Sequence, residues 1–167
     1  MNLRDSCVQE DLTSKKKKPF SSRSVARALA IQGVFMIDGP CVNGLQRFLR
    51  PIIECGAHAL FRDDGDDTFY PFDTVFAQNI IFGVQTHKDL LQEIIETGLS
   101  KFRTVLYLEE VTKSILLCGA WELKYATENP VSVILYEYVQ WAKHFLPEGG
   151  SGFVHGVLDK IRPVLRG

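Results

Sequence analysis

The feature that most constrains this chain is residues 109 to 125, EEVTKSILLCGAWELKY, a proline-free run that opens on two glutamates and is apolar almost all round in its middle. Negative charge favours a helix N-terminus. A helix with no polar side has nothing to offer water and must be surrounded by other elements. The chain is therefore expected to fold as a bundle around this segment. The other stripes agree with that expectation. Residues 22 to 37 carry an apolar face through Val25, Leu29, Ile31, Phe35 and Met36, behind Ser21 and Ser22 as N-cap hydroxyls. Asp38-Gly39-Pro40 stops that helix, and a weaker one bent at Pro51 follows through Leu45, Phe48, Leu49, Ile52 and Ile53. Phe72, Val75, Phe76, Ile80 and Val84 behind Pro71 give another helix, and Leu90, Leu91, Ile94, Ile95 and Leu99 the next. Pro130 opens a stripe through Ile134, Tyr138, Trp141, Ala142 and Phe145, which Pro147 and Gly149-Gly150 end. Ser151 is expected to cap the last helix, with Val154, Val157, Leu158 and Ile161 inside and Pro163 ending it. No alternating pattern of useful length occurs, so no sheet is expected. The fold class is all-α, with about seven helices.

Composition narrows the function classes. The chain has 167 residues, 46% hydrophobic and 23% charged, and no apolar run approaches the roughly 20 residues needed to span a bilayer. No apolar stretch follows the lysines of the first 20 residues to serve as a signal-peptide core, so neither secretion nor a membrane is expected. Cys7, Cys41, Cys55 and Cys118 lack pair spacing. Such usage suits free thiols in a reducing, cytoplasmic location. Charge is uneven: residues 1 to 27 hold seven basic against three acidic side chains, or +4, leaving -5 for the rest of a chain of net -1. Residues 1 to 19 are polar, aperiodic and end in Lys15, Lys16, Lys17, Lys18 and Pro19, which predicts a flexible basic extension before a folded body at 20 to 167. A basic arm on a mildly acidic body fits contact with a polyanion at one end, though a solubilising tail has the same composition.

Two segments carry more than periodicity. The run Gly152-Phe153-Val154-His155-Gly156-Val157-Leu158-Asp159-Lys160 resembles the FVNGVLDK signature that closes members of the NusB family, with His155 in place of asparagine. Ala120-Trp121-Glu122-Leu123, Pro130-Val131, Glu137 and Ala142-Lys143 with Phe145 resemble the family's preceding helix pair, with Tyr136 where asparagine is usual. Arg23, Ala26, Arg27, Ala30 and Gln32 resemble its arginine-bearing first helix. The resemblance spans about residues 20 to 165. It implies two small helical lobes, about 20 to 84 and 85 to 167. It also implies an RNA-binding transcription antitermination factor that takes the boxA element of nascent transcripts together with NusE, the small-subunit ribosomal protein. That pair would act in the RNA polymerase antitermination complex that keeps ribosomal RNA operons transcribed. No catalysis, metal or cofactor is implied.

The RNA-binding residues are then expected to be Lys15 to Lys18, Arg23, Arg27, Phe153 and His155. Arg23 and Arg27, at i and i+4, share a helix face, and guanidinium groups grip phosphate bidentately and stack on bases. Family members commonly carry further basic residues where Ser24 and Val25 stand here. Phe153 matches a position beside RNA, where its ring can stack on a base, and is equally readable as core. His155 can donate or accept. Phe35, Glu109, Glu110 and Thr112 match regions that meet NusE, and are equally readable as packing or surface. Glu122 and Glu137, on apolar helices, are expected to satisfy donors between helices rather than to work as an acid pair.

Rival readings are weaker. Asp63-Asp64-Gly65-Asp66-Asp67 formally fits the aspartate motif of magnesium-dependent prenyl-transfer helices, but Gly65 favours a loop and no second motif follows. Cys55 and His58 lack two further ligands at zinc spacing. Gly149-Gly150-Ser151-Gly152 lacks a phosphate-loop lysine. A fused methyltransferase would need residues that this chain does not hold, so the stand-alone form is expected. A dimerisation module, with a homodimer burying part of the surface, stays open.

Overall fold

In the computed structural model the described residues are 20 to 38, 72 to 100 and 104 to 166. The expected basic extension with Lys15 to Lys18, the helix around Leu45 to Ile53, Pro71 and the aspartate-rich loop lie outside them. Among the described residues there are six α-helices, one short 3-10 turn at Val105–Tyr107, and no strand. The helices are α1 (Ser22–Asp38), α2 (Thr74–Thr86), α3 (Lys88–Gly98), α4 (Glu110–Tyr125), α5 (Val131–Phe145) and α6 (Gly150–Arg166).

Local chemistry sets most of the ends. The Ser21 hydroxyl accepts from the Ser24 amide at 3.1 Å, capping α1. The Asp73 carboxylate accepts from the Phe76 amide at 2.9 Å, capping α2. At His87 the chain turns from α2 into α3, its amide donating back to the Gly83 carbonyl at 3.1 Å. α4 opens with Glu110 in its first turn, in the favourable sense for the helix dipole.

As the all-round apolar pattern requires, α4 is the central element: α1, α2, α3, α5 and α6 all pack on it. Ile115, Leu116, Leu117, Cys118, Ala120 and Leu123 are fully buried. They join Ile31, Ile80, Ile81, Leu91, Ile95, Ile134, Tyr138, Trp141 and Leu158 in one continuous core. At about 1.5 to 3 kcal/mol for each large apolar side chain taken from water, that core is the main stabilising contribution.

Two expectations about α6 are corrected. The helix begins at Gly150, so Ser151 lies in its first turn rather than at its cap. The bend into it is made by Gly149 at a φ of 87°, a conformation open to glycine and rare for other residues. Pro163 stands inside α6, which runs on to Arg166. A proline removes one backbone bond and strains the preceding turn, but Arg166 ties the last turn down. Its guanidinium donates to the carbonyls of Leu123 at 2.7 Å, Asn129 at 2.7 Å and Ala126 at 2.5 Å. These carbonyls lie at the C-terminal end of α4 and in the loop after it, where acceptors lack helical partners.

Candidate nucleic-acid interface

Arg23 and Arg27 lie one turn apart on α1, and the structure assigns them different environments. Arg27 is 3% exposed. Its Nε donates to Glu122 Oε2 at 2.9 Å and its Nη2 to Glu122 Oε1 at 2.5 Å, a bidentate pair, with Glu137 3.9 Å from Nη1. The Arg27 side chain is seated against α4 and α5, so the expectation of an outward phosphate grip is corrected for Arg27. Burial alone would lower its pKa; the hydrogen bonds to Glu122 and the nearby negative groups outweigh that and leave it above its ordinary value.

Glu122 itself is fully buried and takes four donors. Besides Arg27 it accepts from Asn129 Nδ2 at 2.9 Å and from the Tyr138 hydroxyl at 3.0 Å. A carboxylate in the core is tolerable when its lone pairs are all engaged, and this agrees with the structural role expected for it. The Tyr138 phenol, wholly buried and beside Glu122, titrates well above its ordinary range, with burial as the main cause and the carboxylate's charge adding to it. Glu137 accepts from the Ser24 hydroxyl at 2.5 Å. Ser24 and Val25, where the family often has basic residues, are buried here.

Arg23 is the outward member. Its side chain is 48% exposed, Nη1 donates to Asn129 Oδ1 at 2.9 Å, and Nε lies 3.7 Å from Asp73. One face of the guanidinium covers the Phe76 ring at 5.0 Å. Asn129, Asp73, Tyr138 and Arg166 were not singled out as site residues in the sequence. The hint in the sequence was Glu122 and Glu137, acidic residues on apolar helices expected to satisfy donors between helices.

The other expected residues fall elsewhere. Phe153 is half-buried in the first turn of α6, and His155 is exposed on the same helix. Phe153 lines a groove of about 520 Å³ together with Glu109, Thr112, Tyr107, Leu146 and Gly150. One groove thus brings together an expected RNA residue and two expected NusE residues. Thr112 is 8% exposed, while Glu109 and Glu110 are exposed, and Glu110 accepts from Lys113 at 2.7 Å. Phe35 is exposed at the far end of α1. Among the described residues no group of three or more His, Cys, Asp or Glu side chains could hold a metal, and no helix is long and apolar enough to cross a membrane.

Comparison with known proteins places this geometry. A profile described as the NusB family matches residues 24–163. The transcription antitermination protein NusB of Bradyrhizobium diazoefficiens is 30% identical over 158 residues, covering 93% of this chain and 90% of the relative. The protein of the same name from Caulobacter vibrioides is 31% identical over 141 residues, covering 83% and 91%. Among solved structures, antitermination factors NusB and NusE in complex with dsRNA match with a TM-score of 0.65 at 21% identity, covering 84% of this chain and 96% of that one. T. maritima NusB matches at 0.67 and 20% identity, covering 86% and 93%.

Proposed function

This chain belongs to the NusB family, and from that premise we propose that it is an RNA-binding transcription antitermination factor, acting on boxA-type single-stranded RNA together with NusE in the RNA polymerase antitermination complex. The observation that carries the reading is the match across residues 24–163, with relatives named transcription antitermination protein NusB over 93% of the chain. The structure that pairs NusB with NusE and RNA gives the kind of complex to expect. The protein is read as a non-catalytic adaptor, cytoplasmic, without metal or cofactor, and built of lobes at about 20 to 84 and 85 to 167.

Within that reading Arg23 is the α1 contact for RNA and Arg27 is withdrawn from the set, because it is 3% exposed and paired bidentately with Glu122. Arg23 and Arg27 are outnumbered by Asp73, Glu122 and Glu137 around them, so this patch offers one accessible guanidinium rather than a strong positive field. Lys15 to Lys18 would supply the nonspecific phosphate attraction that the patch lacks. Phe153 and His155 would extend the RNA surface along α6. Glu109, Glu110 and Phe35 would meet NusE, with Thr112 shaping the groove wall.

The test is binding of a boxA oligonucleotide and a scrambled control to the full chain, with and without NusE. Preference for boxA that NusE strengthens is the expected result. Binding indifferent to sequence and to NusE would overturn the reading and favour a helical dimerisation module with a nonspecific basic tail.

A further inference from the structure

We propose that Asn129 is a positioning residue for RNA recognition, passing the fixed geometry of the buried Glu122 carboxylate outward to Arg23 so that its guanidinium meets a phosphate already oriented. The inference rests on the reading of Arg23 as an RNA contact.

Asn129 stands in the loop between α4 and α5 and is 6% exposed. It is held on every side. Its amide N–H donates to the Ala126 carbonyl at 3.0 Å, its own carbonyl accepts from Arg166 Nη1 at 2.7 Å, and its Nδ2 donates to Glu122 Oε1 at 2.9 Å. The remaining group, Oδ1, accepts from Arg23 Nη1 at 2.9 Å. A carboxylate only accepts and a guanidinium only donates, so a side-chain amide can bridge them in one orientation alone. Glu122 therefore decides which way Asn129 faces, and Asn129 decides where Nη1 of Arg23 sits. Aspartate would set a second carboxylate against Glu122, and an aliphatic side chain would serve neither partner.

The clamp leaves Arg23 able to bind. Phe76 supports one face of its plane at 5.0 Å, and Asn129 takes one of the five N–H donors. Among the described residues Nη2 makes no hydrogen bond, and the side chain is 48% exposed. An arginine free in water must surrender its rotamer freedom on binding, whereas one already held surrenders less, and that saving appears as affinity. Phosphate, which takes two parallel N–H donors in a plane, is the ligand that gains from a fixed plane.

The experiment is a double-mutant cycle in which boxA RNA binding is measured for the wild type, Arg23→Ala, Asn129→Ala and the double variant. NusE affinity and thermal midpoint are followed alongside to confirm the fold. Asn129→Ala is expected to weaken RNA binding by roughly three- to tenfold. The double variant should bind like Arg23→Ala alone, since Asn129 acts only through that residue. Asn129→Ser, whose hydroxyl stands at the Cγ position and falls short of both Glu122 and Arg23, should lose the same factor and, as a polar replacement, serves if the alanine variant does not fold. If Arg23→Ala weakens binding while both Asn129 variants bind as wild type, or if the two effects simply multiply, the positioning role is overturned and the Arg23 contact stands. If Arg23→Ala has no effect, the RNA reading of this patch fails first, and the proposal with it.

Discussion

Arg27 and Arg23 differ by one helical turn and by where that turn leaves their donors. Breaking a buried ion pair leaves the surviving charge uncompensated, at a cost of about 3 to 5 kcal/mol. Arg27→Ala, with Glu122 fully buried beneath it, is therefore expected to lower stability by that order in urea denaturation, and its RNA binding should fail only as the fold fails. Loss of RNA affinity with unchanged stability would return Arg27 to the RNA surface. Tyr138 gives a pH signature. Its folded-state pKa is raised by burial and then by Glu122, so the stability it contributes is complete below the unfolded value of about 10 and is lost as pH rises through the folded one. Denaturation midpoints should fall above about pH 10, and Tyr138→Phe should flatten that fall while costing about 1.5 to 3 kcal/mol at neutral pH for a hydrogen bond to a charged group. An unchanged alkaline slope in Tyr138→Phe would show that another group is responsible. The i, i+4 spacing told which face the two arginines share but not what that face meets, because the partners Glu122 and Asn129 are 95 and 106 residues distant.

At the scale of elements, periodicity located every described helix, since each stripe records a face that must be buried, and it identified α4 as the centre. The end of α6 was misread because Pro163 is a local stop signal, whereas what holds the last turn is the contact of Arg166 with carbonyls of Leu123, Ala126 and Asn129. Packing between elements was also silent in the sequence. Gly83 of α2 lies directly under the indole of Trp121 of α4, and a Cβ added there would stand 1.9 Å from the indole nitrogen. Since an indole is rigid, Gly83→Ala should displace Trp121, destabilising the fold by about 1 to 3 kcal/mol and shifting its fluorescence. Trp121 also contacts Tyr125, whose ring stacks on His87 at 4.6 Å, so the disturbance should reach the joint between α2 and α3. Wild-type fluorescence and stability in Gly83→Ala would mean the two helices do not approach as closely as described.

For the whole molecule, the bundle organises two kinds of charge. Arg27 of α1 and Glu122 of α4 are taken into the interior as an ion pair, with Glu137 of α5 beside them, while Arg23 stands at the rim with its side chain 48% exposed. The motif match over α4 to α6 made the family legible in the sequence, and much of that motif is core: Ala120, Leu123, Ala142, Val154, Val157 and Leu158 are buried. The division of labour between the two arginines was not, because it depends on how deeply α1 sits on its neighbours. That division is the central claim, and it is tested most directly by titrating wild type and Arg23→Ala with boxA RNA across a series of salt concentrations. The account predicts weaker binding for the variant and a log-log salt slope shallower by about 0.7, the loss of one phosphate contact on a single strand, with thermal stability unchanged. Equal affinity and equal slope would contradict it and remove α1 from the RNA surface.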